Sequence, residues 1–105
     1  VQTCALPISR TSHLPHLIAS ALAAATPEEL LPLTATGWQD TTRIAAGDVE
    51  LWRQIFQTNR TSTLKAMADF ETVLARLRAA LAADDGAVLT EILTEGKRRR
   101  DALGS

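Results

Sequence analysis

Met67, Phe70, Leu74, Leu77 and Leu81 recur at intervals of three, four, three and four residues, and Leu64 extends the series backward by one step. Such spacing lays one apolar stripe along a helix in the manner of a coiled-coil seam, and it predicts a long helix over about Asn59–Ala83. A single helix cannot bury its own stripe. The whole chain has 105 residues, enough for one domain with a modest core. Part of the stripe is therefore expected to lie against a second subunit, as in a homodimer. The competing arrangement is an antiparallel hairpin that buries the stripe internally.

The rest of the chain reads as helix too. β-Branched residues never alternate with polar ones over a strand length, so the expected class is all-α, a small domain of about five helices. A first helix is predicted over Ser12–Ala25, with Ser12 as its N-cap and Pro15 tolerated in the first turn. Leu14, Leu17, Ile18, Ala21 and Leu22 make its apolar face. Thr26-Pro27-Glu28-Glu29 reads as a second helix start, cut short by Pro32. Leu33–Gly47 has no clear period and is expected to be irregular. Asp48 can cap a helix through Phe56, with Leu51, Trp52 and Ile55 on one side. After the long helix, Asp84-Asp85-Gly86 marks a break, and Val88, Leu89, Ile92 and Leu93 begin a last helix ending near Leu103.

Charge excludes some functions. Eleven Lys and Arg stand against twelve Asp and Glu, so the chain as a whole has no attraction for nucleic acid or an anionic membrane. The basic run Lys97-Arg98-Arg99-Arg100 reads as a solvated helix end whose cations complement the dipole, since no stacking platform or second basic patch accompanies it. One cysteine rules out an internal disulfide framework and a cysteine-rich zinc site. No apolar run approaches the ~20 residues needed to span a bilayer, and the first residues lack the layout of a signal peptide. A soluble cytoplasmic domain is the expectation.

Two stretches carry candidate chemistry. His13 and His16 are three apart at a helix start, which can bring both imidazoles to one face. A zinc site needs three or four ligands, and the chain contains neither an HExxH pattern nor a second His/Cys pair, so no metal is expected. The pair reads either as hydrogen-bonding groups for a small polar ligand or as partly buried, satisfied core histidines. Gly37–Phe56 gathers an acid, two threonines, an arginine and two tryptophans into a segment otherwise poor in them. Arg43 sits among small and apolar residues, where a guanidinium needs a carboxylate partner. Asp40 can be that partner, or it can hold the fork for a ligand.

"SHLPHLIASAL" followed by "GWQDTTRIAAGDVELWRQIFQTNR" resembles the C-terminal helical domain of prephenate and arogenate dehydrogenases, oxidoreductases of tyrosine biosynthesis. The resemblance covers about Ser12–Leu103. Two departures are a short connection, Ala23–Thr36, and a Gly37-Trp38 pair where Gly-Phe is more usual. The resemblance implies a full-length enzyme with an N-terminal Rossmann domain that binds NAD or NADP and supplies the catalytic histidine. In that reaction a base removes the substrate's ring-hydroxyl proton as hydride passes to the nicotinamide, and loss of CO2 aromatises the ring. By motif position His16 contacts substrate, either prephenate or arogenate, and Arg43 binds a substrate carboxylate. Ser12 and His13 flank the same wall, while Asp40 and Trp52 support the arginine and shape the pocket. The helical domain also dimerises.

Neither histidine corresponds to the family's general base, and no GxGxxG follows a strand here. The chain alone is therefore expected to be inactive, with no catalytic residue and no cofactor of its own. A stand-alone helical interaction module is the alternative; a nucleic-acid binder using the terminal basic run is remote. "VQTCALPIS" stands where the family carries a polar helix, and Val1–Ile8 looks like the translated end of a sequencing-library adapter running through Ser9. Residues 1–9 are accordingly expected to be a non-native or disordered tail, and residues 10–105 the helical domain.

Overall fold

The structure, a computed structural model, describes residues 7–104, and all of its regular elements are helical. A wide π-helical turn, Ser9–His13, runs directly into α1, Leu14–Ala25. A 3-10 segment, Glu28–Leu33, leads to α2, Thr36–Thr42, and a second 3-10 turn, Arg43–Ala46, precedes α3, Val49–Thr58. The long helix α4 spans Arg60–Ala82, and α5 spans Gly86–Asp101. The all-α class holds, as do the break at Asp84-Asp85-Gly86 and the extent of the long helix.

The chain divides into two compact units, one up to Met67 and one from Ala68. In the first, α1 is central: the π-helical turn, α2 and the Arg43–Ala46 turn all pack on it. Ala19 and Ala66, each 1% exposed, are its tightest apolar positions. Small side chains there let helix backbones approach closely. In the second unit, Asp85 caps α5 by accepting from the Val88 N–H at 3.1 Å. Arg76 of α4 reaches Glu91 of α5 at 3.2 Å, and Ala80 is buried. The terminal cations are tied to acids on their own helix: Arg98 and Arg99 to Glu95, and Lys97 to Asp101.

Several local expectations are corrected. Ser12 is not an N-cap, because the helical run begins upstream and Ser12 lies exposed within it. Pro15 explains the form of that run. In a regular helix its ring would press on the carbonyl four residues back. Here the Leu14 N–H reaches the Ser9 carbonyl, five residues back, a widened turn that gives the ring room. Ser9, assigned to the tail by sequence, is helical and fully buried. Residues 1–6, including Cys4, lie outside the described residues.

Thr26 ends α1 instead of starting a helix: its hydroxyl donates to Leu22 O at 2.8 Å. The helix expected after it is the 3-10 segment, whose shorter hydrogen-bond reach accommodates Pro32. Leu33–Gly47, expected to be irregular, contains α2 and a 3-10 turn. Its Gly and Thr residues favour helix weakly. Packing and local bonds outweigh that preference: Thr42 is buried and donates to Trp38 O at 2.8 Å, and Trp38 Nε1 donates to Thr26 Oγ1 at 3.0 Å.

Asp48 caps α3 as expected, accepting from the Leu51 N–H at 2.9 Å. Replacing either Asp48 or Asp85 with alanine is expected to lower stability by about 1 kcal/mol, the usual cost of a lost N-cap acceptor. Urea denaturation of the two variants checks this, and midpoints equal to that of the parent chain would refute the capping role.

Candidate functional site

His16 is the most deeply buried ionisable group described, 5% exposed. It sits one turn into α1, and α3 brings Trp52 against it. The two rings stack with centroids 3.9 Å apart and planes 15° from parallel. Phe56, one turn further along α3, lies 5.9 Å from His16 and 5.6 Å from Trp52. Asp48 starts α3 at the register that aims both rings at α1. Aromatic pairs of this kind contribute ~0.5–1.5 kcal/mol beyond the area they bury.

Gly47 closes the stack from the side. A Cβ there would stand 3.1 Å from Trp52 Nε1 and 3.3 Å from His16 Cε1, so any larger residue would push the rings aside. The Arg43–Ala46 turn ends on this glycine through a Gly47 N–H to Ile44 O bond of 3.1 Å. The arginine's own turn is thus anchored beside the imidazole.

His13 lies one turn before His16 and meets Trp52 and Phe56 edge-on, with centroids 6.1 and 6.3 Å away. Asn59, between α3 and α4, donates from Nδ2 to Ser9 Oγ at 2.8 Å, and the same nitrogen lies 3.2 Å from His13 Nδ1. Ser9, His13, His16, Trp52, Phe56 and Asn59 therefore form one connected group.

The other expected residues are placed differently. Arg43 is exposed, and so is Asp40, which lies in α2. No ion pair joins them among the described residues. Both side chains meet water, so neither needs the other to offset burial. Ser12 is exposed and stands apart from the aromatic group. Trp52 shapes the surroundings of His16. Among the described residues no cluster of three or more potential metal ligands occurs.

Of the long-helix stripe, Leu64, Leu74 and Leu81 remain 57%, 52% and 67% exposed, while Met67, Phe70 and Leu77 are half-buried. Packing within the chain covers the stripe only in part. Asn59, Phe56 and Gly47 were not singled out by sequence. Phe56 had a usable signal, because a residue four after Trp52 shares its helix face; the other two had none.

The fold and these contacts define a small all-α domain with a mixed imidazole and indole wall. The prephenate dehydrogenase dimerization-domain model matches residues 7–95, and the chain belongs to that family. It is 34% identical to cyclohexadienyl dehydrogenase of Zymomonas mobilis over 105 residues, covering 91% of this chain and 35% of that protein. It is 31% identical to prephenate dehydrogenase of Bacillus subtilis over 98 residues, covering 88% of this chain and 26% of that protein. The crystal structure of A. aeolicus prephenate dehydrogenase, in complex with hydroxyphenyl propionate and NAD+, superposes with a TM-score of 0.84 at 31% identity, covering 97% of this chain and 38% of that one. The chain thus spans about a third of the length of the curated relatives it matches.

Gly47→Ala is expected to destabilise the chain by about 1–3 kcal/mol through overpacking and to change the emission of Trp52, measured in a Trp38→Phe background. Gly96→Ala serves as the contrast: Gly96 lies inside α5, and an added Cβ there meets nothing within 4 Å. It should stabilise by about 0.5–1 kcal/mol. Equal effects at the two glycines would contradict the close approach.

Burial holds the His16 pKa below the ordinary imidazole value. The unfolded chain therefore binds the proton more readily. The contribution of the neutral ring is complete above the unfolded pKa, about 6.5, and is lost as pH falls through that value toward the folded one. Urea midpoints should fall between pH 7.5 and 5.5 more steeply for the parent chain than for His16→Gln; parallel slopes would argue against it.

Proposed function

We propose that this chain supplies one substrate-binding wall and the dimer interface of an NAD(P)-dependent prephenate or arogenate dehydrogenase. The observation that supports this most directly is the placement of His16. The residue assigned to substrate contact by the SHLPH motif is held rigidly by Trp52 and Gly47, beside the turn that carries Arg43. A side chain fixed by packing presents its ring nitrogens in one geometry, which is what orienting a ligand requires.

Arg43 complements it. Among the described residues no carboxylate pairs with it, so its planar fork can take a substrate carboxylate by two parallel hydrogen bonds. His16, kept neutral by burial, can offer a hydrogen bond without adding charge. His13 and Trp52 complete the wall.

A dinucleotide would be held outside these helices. The described elements contain no strand leading through a glycine-rich turn into a helix, the arrangement that holds a pyrophosphate. NAD or NADP and the catalytic base would belong to a Rossmann domain of the full-length enzyme, and the chain on its own would be inactive. Among the described residues no helix is long and apolar enough to cross a membrane. A cytoplasmic location, without a membrane or nucleic-acid partner, is part of the same proposal. The exposed leucines of α4 fit burial against a second copy. The origin of Val1–Ser9 as translated adapter sequence is a separate proposal, tested by the nucleotide sequence immediately upstream of Arg10.

Supplying the dinucleotide-binding portion of the Zymomonas relative, fused ahead of Ser9, is expected to give NAD(P)-dependent dehydrogenase activity with prephenate or arogenate. Arg43→Ala in that fusion should lower kcat/KM about 100-fold, the loss of a bidentate charged contact worth roughly 3 kcal/mol. A fusion that folds and dimerises but turns over neither substrate would favour a helical interaction module, and an unchanged rate in the Arg43 variant would remove that residue from the site.

A further inference from the structure

Asn59 is placed to decide which nitrogen of His13 carries the proton. Its amide nitrogen has two hydrogens. One is directed at Ser9 Oγ, 2.8 Å away, and His13 Nδ1 lies 3.2 Å from the same nitrogen. An amide N–H can bond to an imidazole nitrogen only if that nitrogen presents its lone pair. We propose that Asn59 is a positioning residue that holds His13 in its Nε2–H tautomer, so that the imidazole offers a ligand a donor at Nε2.

The surroundings strengthen the assignment. Asn59 is the residue at which α3 ends, with backbone angles of −111° and 37°, and its own N–H is tied to Ile55 O at 3.1 Å. Its carbonyl oxygen is also engaged, receiving the Thr63 N–H at 3.0 Å and the Thr63 hydroxyl at 2.7 Å. Thr63 is 4% exposed. Bonds on both sides of Asn59 thus fix where its side chain originates, and Ser9, fully buried, fixes where it ends. The amide spans from the α3–α4 junction to the turn before α1, and His13 lies within that span.

Two consequences follow. His13 bears edge-on against Trp52 and Phe56, so fixing its ring also limits movement of the Trp52–His16 stack. With Nδ1 committed to Asn59, the nitrogen left for a ligand is a donor suited to a carbonyl or carboxylate oxygen. This second consequence rests on the substrate-wall reading; the tautomer does not.

The test is long-range proton–nitrogen NMR on the uniformly 15N-labelled full chain at pH 8, where the two tautomers give distinct correlation patterns. The His13 signals are assigned by loss in His13→Gln, with His16 as the internal reference. The expected result is an Nε2–H pattern for His13 in the parent chain. In Asn59→Asp, which keeps the side-chain shape but replaces the donor with an acceptor, the proton should move to Nδ1 while the His16 pattern stays unchanged. Asn59→Ala should give a mixture of tautomers if it folds; the aspartate variant decides the matter if it does not. An Nδ1–H pattern in the parent chain, or the same pattern in the parent and Asn59→Asp, would overturn the proposal. Because the measurement needs neither cofactor nor substrate, its failure is distinct from failure of the dehydrogenase reading.

Discussion

The stack of the His16 imidazole on the Trp52 indole joins α1 to α3, and much of the first unit is arranged so that these rings can meet at 3.9 Å. Gly47 lets the chain pass close to both rings, where a Cβ would stand 3.1 and 3.3 Å from them. Asp48 must start α3 at a register that turns Trp52 and Phe56 inward. The π-helical turn must absorb Pro15 so that His13 and His16 continue on one helical run. None of these is a large hydrophobic contact. Among the described residues the positions exposed by 1% or less are small, Ala19, Ala66 and Ser9, so aromatic packing and hydrogen bonds carry specificity that a larger core would otherwise supply.

The sequence made the helices legible where periodicity or capping chemistry is strong. The three-four spacing of Met67 to Leu81 gave the long helix almost to the residue, and Asp48 and Asp85 announced α3 and α5 through a carboxylate placed three residues before an N–H that needs an acceptor. Where tertiary contacts override local preference, the reading failed. Gly37, Thr41 and Thr42 are poor helix formers, yet α2 forms because Thr42 is buried and Trp38 is tethered to Thr26. The π-helical turn was hidden for a related reason. Pro15 is a first-turn residue of α1, as expected, but only the upstream continuation of the helix shows that a widened turn precedes it.

The site was legible in its residue types and less so in its wiring. His13, His16 and Trp52 come together, and motif spacing could suggest that much. Arg43 and Asp40 suggested an ion pair by proximity in sequence, but both side chains reach solvent, where a pair gains little. Asn59 gave no sign, because its partners are distant in the chain: Ser9 and His13 are brought to it only when α1 and the α3–α4 junction pack.

Charge sets the limit of what this wall can do alone. His16 is neutral because burial penalises its cation, and Asp48 is committed to the Leu51 N–H. Arg43 is then the one fixed cation on the turn beside the imidazole, with Asp40 nearby on α2 adding an opposing charge to the local field. A ligand with two carboxylates held only here would have a single guanidinium to meet both, and the second would remain uncompensated in a partly dehydrated cleft, at a cost of several kcal/mol. On the substrate-wall reading, these residues therefore contribute orientation and one charge, and a second carboxylate would call for a further positive group.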